Sequence, residues 1–307
     1  MELISPPALK KGDAVGIVAP ARKILREEIE PAIKIIESWG LEVRLGKHLF
    51  GSYNQFSGTD LERAADFQHM INDPEVKAII CARGGYGTMR ILDHINLRDL
   101  QREPKWIVGY SDVTVLHSII TSWFKLETIH GPMPINFPKN GQDNSSTESL
   151  QKILFGNNPS YRVASHSFNR TGSAYGELCG GNLSILYSIA GTDADINTND
   201  RILFIEDLDE YLYHIDRMMM NLKRSGKLSQ LSGLIVGGMS SMNDNAVPYG
   251  WNALEIIRDA VAEYNYPVCF GFPAGHESEN LSLILGRKVT LEVTPNGTEL
   301  IFSPPSR

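Results

Sequence analysis

The sequence predicts an α/β protein: an N-terminal doubly wound, mainly parallel α/β domain with a serine at a sharp strand-to-helix turn, then a smaller C-terminal α/β domain. Three observations point there. Short apolar runs, such as those at 14–19, 76–82 and 202–205, are what a parallel sheet buried on both faces requires. Stretches of helical spacing and cap signals lie between the runs, so strand and helix alternate. Finally, KWIVGYSDVTVLHSIITSWF, residues 105–124, joins a buried strand to an amphipathic helix through a tight turn with Ser111 at its apex.

In chain order, residues 14–19 read as the first strand, stopped by Pro20, and 25–39 as a helix closed by Gly40. Residues 41–45 give a second strand. After a polar stretch at 51–58, Thr59 and Glu62 form a capping-box pattern that opens a helix to Ile71. The strand at 76–82 feeds Arg83-Gly84-Gly85-Tyr86-Gly87, a short helix from Thr88, and then the Ser111 unit. There Trp106, Ile107 and Val108 form the strand, Gly109 permits the turn, and Val113, Leu116, Ile119, Ile120 and Phe124 recur near helical spacing. A hydroxyl at such a junction stands at the carboxyl edge of the sheet, beside the free N–H groups of a helix start. This is nucleophile-elbow geometry, although Val113 occupies the place of the last glycine in G-x-S-x-G.

Loop signals crowd residues 136–173, with Pro138, Asn140-Gly141, Asn144-Ser145-Ser146 and Asn157-Asn158-Pro159. The expected division is therefore a first domain at 1–136, a linker at 137–172 and a second domain at 173–307. The second domain reads as a glycine-punctuated run at 172–181, a helix at 183–190, and a strand at 202–205 that ends in Glu206. A helix at 212–224, a strand at 234–236, a helix at 251–264 and a strand at 268–270 follow. Residues 278–307 read as short strands with turns at Gly286-Arg287 and Asn296-Gly297.

Composition narrows the function classes. A formal net charge of −7 and a pI near 5.6, with no basic cluster, argue against a nucleic-acid partner. No leader pattern opens the chain and no run reaches the ~18 apolar residues of a membrane helix, so a soluble cytoplasmic protein is expected. Cys81, Cys179 and Cys269 lie apart among apolar residues and read as buried thiols rather than disulfides or metal ligands.

Serine catalysis needs a base, a group that orients the base, and donors for the developing oxyanion. Of the histidines, His130 and His276 each follow a strand and can stand at a carboxyl edge; spacing does not choose between them. His117 lies on the helix after Ser111, and His48, His69, His94 and His166 sit in polar surroundings. Glu206 ends a clean apolar strand, where a carboxylate can be fixed, whereas Asp207, Asp209 and Glu210 read as a solvated acidic turn. The glycine loop lets backbone approach a ligand, so a second oxyanion N–H can come from Gly84 or Gly85. It is not a dinucleotide loop, because G-G-x-G departs from G-x-G-x-x-G and does not follow the first strand. H-E-x-x-H is absent, and no metal or cofactor is expected.

Five motifs in order, CARGGYG (81–87), VGYSDVT (108–114), GGNLS (180–184), FIED (204–207) and GFPAGH (271–276), resemble the LD-carboxypeptidase family of serine peptidases, which includes microcin self-immunity hydrolases. The resemblance spans nearly the whole chain. It implies Ser111 as nucleophile, His276 as general base, Glu206 as its orienter, and N–H groups of Gly85 and Asp112 as the oxyanion hole. It also implies a homodimer that cleaves the amide between the L-diamino acid and terminal D-alanine of murein tetrapeptide during cell-wall recycling. Arg83, beside Gly84, is the candidate cation for the substrate's free carboxylate. Two other readings stand beside this one: a microcin-type hydrolase of peptide-nucleotide antibiotics, and a catalytically silent peptide-binding protein.

Overall fold

The computed structural model describes residues 3–305. The chain runs β1 (Ala14–Val18), α1 (Arg26–Ser38), β2 (Glu42–Leu45), α2 (Asp60–Asn72), β3 (Val76–Cys81), β4 (Trp106–Gly109), α3 (Thr114–Trp123) and β5 (Thr128–His130). It continues with α4 (Ser145–Leu154), β6 (Ser160–Val163), β7 (Gly172–Asn182), α5 (Leu183–Ile189), β8 (Arg201–Leu208), α6 (Leu212–Arg224), β9 (Gly233–Ser240) and α7 (Ala253–Ala260). Strands β10 (Val268–Phe270), β11 (Leu283–Leu285), β12 (Lys288–Thr294) and β13 (Gly297–Phe302) complete it.

Two sheets result. The first has the order β11-β5-β4-β3-β1-β2 and is parallel except for β11, which pairs antiparallel with β5. The second has the order β10-β9-β8-β7-β12-β13-β6; β7 to β10 are parallel and the rest antiparallel. Strands β1, β3 and β8 of the parallel parts are buried almost throughout, as their apolar runs require, whereas the edge strand β2 is not. The expected capping box opens α2: Glu62 N donates to Thr59 Oγ1 at 3.3 Å and Thr59 N to Glu62 Oε2 at 2.8 Å.

The stretch expected to be loop differs. Asn144 is a helix cap whose Oδ1 accepts from Thr147 N at 3.0 Å, and α4 buries Leu150, Ile153 and Leu154 in the core. Strand β6, in the same stretch, pairs with β13. Asparagine and serine serve loops and helix caps for one reason, a short side chain that bonds nearby backbone, so composition alone does not separate the two. The run at 172–181 is likewise part of the long strand β7.

One apolar core joins the sheets: Val15, Ile80 and Val108 of the first belong to the same cluster as Leu178, Phe204 and Leu291 of the second. The chain also crosses back, since β11 lies at the edge of the first sheet although its neighbours β10 and β12 lie in the second. Gly286, with φ +92°, turns the chain there. Among the described residues no helix is long and apolar enough to cross a membrane.

Candidate active site

At the end of β4 the chain leaves Gly109, passes an extended Tyr110, and enters a left-handed Ser111 with φ +62°. A serine there costs about 1–2 kcal/mol, which marks a position the surrounding fold over-determines. His117 Nε2 lies 2.9 Å from Gly109 O and must donate to it, since a carbonyl only accepts; this bond ties α3 back onto the strand end. The glycine loop after β3 comes against the serine. A Cβ on Gly84 would lie 2.9 Å from Ser111 Cβ and 3.0 Å from its Oγ. Gly85, at φ +114°, turns so that its Cα faces the Arg22 side chain.

Asp112 stands beside Ser111 and is buried. Its Oδ2 accepts from Thr88 N at 2.8 Å, so the carboxylate pins the end of the glycine loop to the elbow. Burial raises its pKa, against the Thr88 bonds and the charges of Arg63 and Arg22. The buried Arg63 donates to Gly87 O at 2.9 Å and to Gly58 O at 3.3 Å, fastening the glycine loop and one further loop at this edge. Its place on the capping-box helix gave no hint of that role.

The second sheet brings Glu206 and His276 together. Glu206 is fully buried on β8, and its Oε2 accepts from His276 Nδ1 at 2.7 Å and from His276 N at 3.2 Å. Gly275, at φ +103°, allows this approach, because a Cβ there would lie 2.6 Å from Glu206 Oε2. Burial opposes charge on the imidazole, but hydrogen bonding and attraction from Glu206, with a contribution from Asp207, hold His276 above its ordinary pKa. Asp207 is not part of a solvated turn. It is buried, accepts from Asn182 Nδ2 at 2.9 Å and from Ser184 N and Oγ at 2.9 and 3.0 Å, and burial pushes its pKa up to about 6. It thereby locks GGNLS to FIED, a coupling with no signal in either motif alone.

The two halves meet at the serine. Asn182 N donates to Thr114 Oγ1 at 3.0 Å, and the Tyr110 ring packs 4.7 Å from the His276 ring. Among the described residues Ser111 Oγ makes no hydrogen bond, and Tyr110, the residue before it, is the contact that reaches the His276 ring. Catalytic hydrogen bonds commonly tighten only with substrate bound. His130, which spacing left open as a base, is completely buried between Tyr110 and Phe204, at 5.7 and 4.9 Å. Burial pushes its pKa well below the ordinary value, and no solvent-reached substrate meets it. Arg83 spends one guanidinium N–H on Lys23 O at 3.1 Å. Arg22 is the exposed cation lying along Gly85, and sequence reading passed over it.

Residues 15–131 match the LD-carboxypeptidase N-terminal domain and residues 175–291 the LD-carboxypeptidase C-terminal domain. The chain belongs to the LD-carboxypeptidase family. It is thus a serine-type hydrolase by family, as the five motifs implied. A probable murein peptide carboxypeptidase of Bacillus subtilis is 37% identical over 93% of this chain and 91% of its own. The murein tetrapeptide carboxypeptidase of Pseudomonas aeruginosa is 28% identical, covering 91% and 92%. The crystal structure of muramoyltetrapeptide carboxypeptidase from Oxalobacter formigenes superposes with a TM-score of 0.86 at 26% identity, covering 95% of this chain and 100% of that one. The microcin C7 self-immunity protein MccF, at 23% identity and TM-scores up to 0.87, shares the fold.

Proposed function

We propose that this LD-carboxypeptidase hydrolyses the amide between the L-diamino acid and the terminal D-alanine of murein tetrapeptide, releasing tripeptide and D-alanine. The observation that carries the reading is the Glu206–His276 pair, 2.7 Å apart, packed through Tyr110 against a left-handed serine. In the proposed reaction Ser111 Oγ attacks the carbonyl carbon while His276 takes the hydroxyl proton, and Glu206 stabilises the imidazolium. The N–H groups of Gly85 and Asp112 receive the oxyanion. Collapse breaks the C–N bond, His276 returns the proton to the departing D-alanine nitrogen, and an acyl-Ser111 ester remains. Water, deprotonated by His276, then cleaves that ester and restores the serine. Family relatives named for murein peptides support the substrate assignment. A cytoplasmic homodimer serving peptidoglycan recycling is the setting we propose for it.

The microcin-type reading needs aromatics free to stack on a nucleobase. In the 137–172 stretch the aromatics have other occupations: Phe137 is buried in the core, Phe155 packs against it, Tyr161 donates to Ser282 O at 2.7 Å, and Arg258 covers Phe168 at 4.2 Å. This favours the murein reading. Mass spectrometry of wild type and Ser111→Ala incubated with tetrapeptide, with and without EDTA, tests it: loss of one D-alanine by the wild type in both conditions, and by the variant in neither, is expected. Chelator-sensitive activity restored by zinc would refute the serine mechanism.

A further inference from the structure

Glu206 uses one carboxylate oxygen for both bonds to His276; its other oxygen, Oε1, is buried and has no hydrogen-bond partner among the described residues. Buried polar atoms are rarely left so, and for a carboxylate oxygen the imbalance is especially costly. A candidate donor lies on the stretch of chain that carries His276. Asn280 is buried, and its Oδ1 accepts from Gly275 N at 2.8 Å. Because a backbone N–H only donates, that bond fixes which end of the amide faces Gly275, and the NH2 group is turned away. Asn280 Nδ2 is itself buried and without a partner among the described residues. The backbone of Asn280 is also held, its N donating to Ser146 Oγ of α4 at 2.8 Å.

A surplus acceptor on Glu206 and a surplus donor on Asn280 thus belong to the two side chains that hold the Gly275–His276 backbone, where Gly275 approaches Glu206 so closely that only a glycine fits. His130, whose ring nitrogens are also buried and without a partner among the described residues, meets the site through ring contacts with Tyr110 and Phe204, whereas Asn280 is bonded to the same Gly275–His276 backbone that Glu206 grips. We propose that Asn280 is a positioning residue for Glu206: through one buried water, its Nδ2 supplies a hydrogen bond to Oε1 and so keeps Oε2 on His276. The water accepts from Nδ2 and donates to Oε1, which satisfies both orphaned atoms.

The proposal rests on the Ser111–His276–Glu206 assignment, and its test does not need the substrate to be right. Asn280→Asp keeps the shape and the Oδ acceptor for Gly275 N–H but removes the NH2 donor; Asn280→Ala removes both. The measurement is the rate at which a fluorophosphonate probe labels Ser111, followed by intact-mass spectrometry, with kcat and KM on tetrapeptide beside it. If Asn280 positions Glu206, both variants label about tenfold more slowly, the scale of one lost charge-assisted hydrogen bond, and kcat falls with KM unchanged. If Asn280 only holds the Gly275 turn, Asn280→Asp labels at the wild-type rate while Asn280→Ala does not, and the proposal is overturned. A crystal structure of the wild type that orders buried water gives the direct check: a water within hydrogen-bond distance of both Glu206 Oε1 and Asn280 Nδ2 supports it, and its absence from that position refutes it. Normal labelling with no turnover of tetrapeptide would instead count against the substrate assignment alone.

Discussion

Gly84→Ala is the sharpest probe of the serine assignment, because the new methyl group meets Ser111, the proposed nucleophile, and little else. Its Cβ would lie 2.9 Å from Ser111 Cβ, 3.0 Å from Ser111 Oγ and 3.4 Å from Met133 Cε. Carbon atoms in good contact sit about 3.5–4.0 Å apart, so Ser111 and the loop must separate by roughly half an ångström. Gly84 is not among the residues with positive φ, so alanine adopts its backbone without strain, and its restricted unfolded state contributes about 0.4–1 kcal/mol toward stability. Overpacking costs on the order of 1–3 kcal/mol in a core, and less where one neighbour is a half-buried side chain at a site mouth. The melting temperature is therefore expected to move little. Catalysis is less forgiving: misplacing reacting groups by about 1 Å costs about a hundredfold, so half that displacement predicts about a tenfold loss or more in kcat.

The assay is kcat and KM on tetrapeptide, with fluorophosphonate labelling of Ser111 and calorimetric melting on the same preparations. Wild-type kcat in a folded Gly84→Ala variant would mean that Ser111 is not where the chemistry happens. Gly85→Ala gives the contrast. There the new Cβ meets the flexible Arg22 chain, but φ +114° is hostile to alanine, so stability falls by about 1–2 kcal/mol along with activity.

Three further outcomes are expected. Glu206→Gln should lower kcat about 10- to 100-fold with KM unchanged: both His276 donors point at one oxygen, so the amide presents its oxygen there and the imidazole tautomer survives, while the charge is lost and the Oε1 acceptor becomes a donor. In wild type, kcat/KM should fall as pH drops through a His276 pKa lying above the ordinary imidazole value, because the protonated ring is no base. Glu206→Gln should move that limb to lower pH, and an unmoved limb would count against the pair. Arg22→Ala and Arg83→Ala, compared by KM on tetrapeptide and on its amidated form, should assign carboxylate recognition; a KM rise for the free acid alone marks the residue responsible, and none for either variant removes both candidates.

How much of this site was legible in the sequence depended on whether its physics was local. Ser111 could be read because strand, turn and helix lie within 20 residues, 105–124, and their pattern dictates where the hydroxyl stands. Glu206 could be read as a fixed carboxylate on a buried strand, although β8 runs past it to Leu208 rather than ending there. The choice of His276 over His130 could not, since both follow strands, and only topology separates them. Strand β5 lies between β4 and β11 inside the first sheet, and Phe204 of the second closes over His130. His276 lies instead on the segment that leaves β10, at the edge of the second sheet, and returns to β11, at the edge of the first. That crossing is also what α4 secures, through Ser146 to Asn280 and Ser149 to Ser282, at 2.8 and 2.9 Å. Serines that look like loop residues along the chain are thus the anchors of the segment that carries His276. If that argument holds, Ser146→Ala together with Ser149→Ala should lower kcat while leaving Ser111 and Glu206 in place. The double mutant of Ser111→Ala with His276→Ala should lose no more than either single change, because without the nucleophile the base has nothing to activate. Logarithmic losses that simply add would separate the two residues into different steps and dissolve the triad.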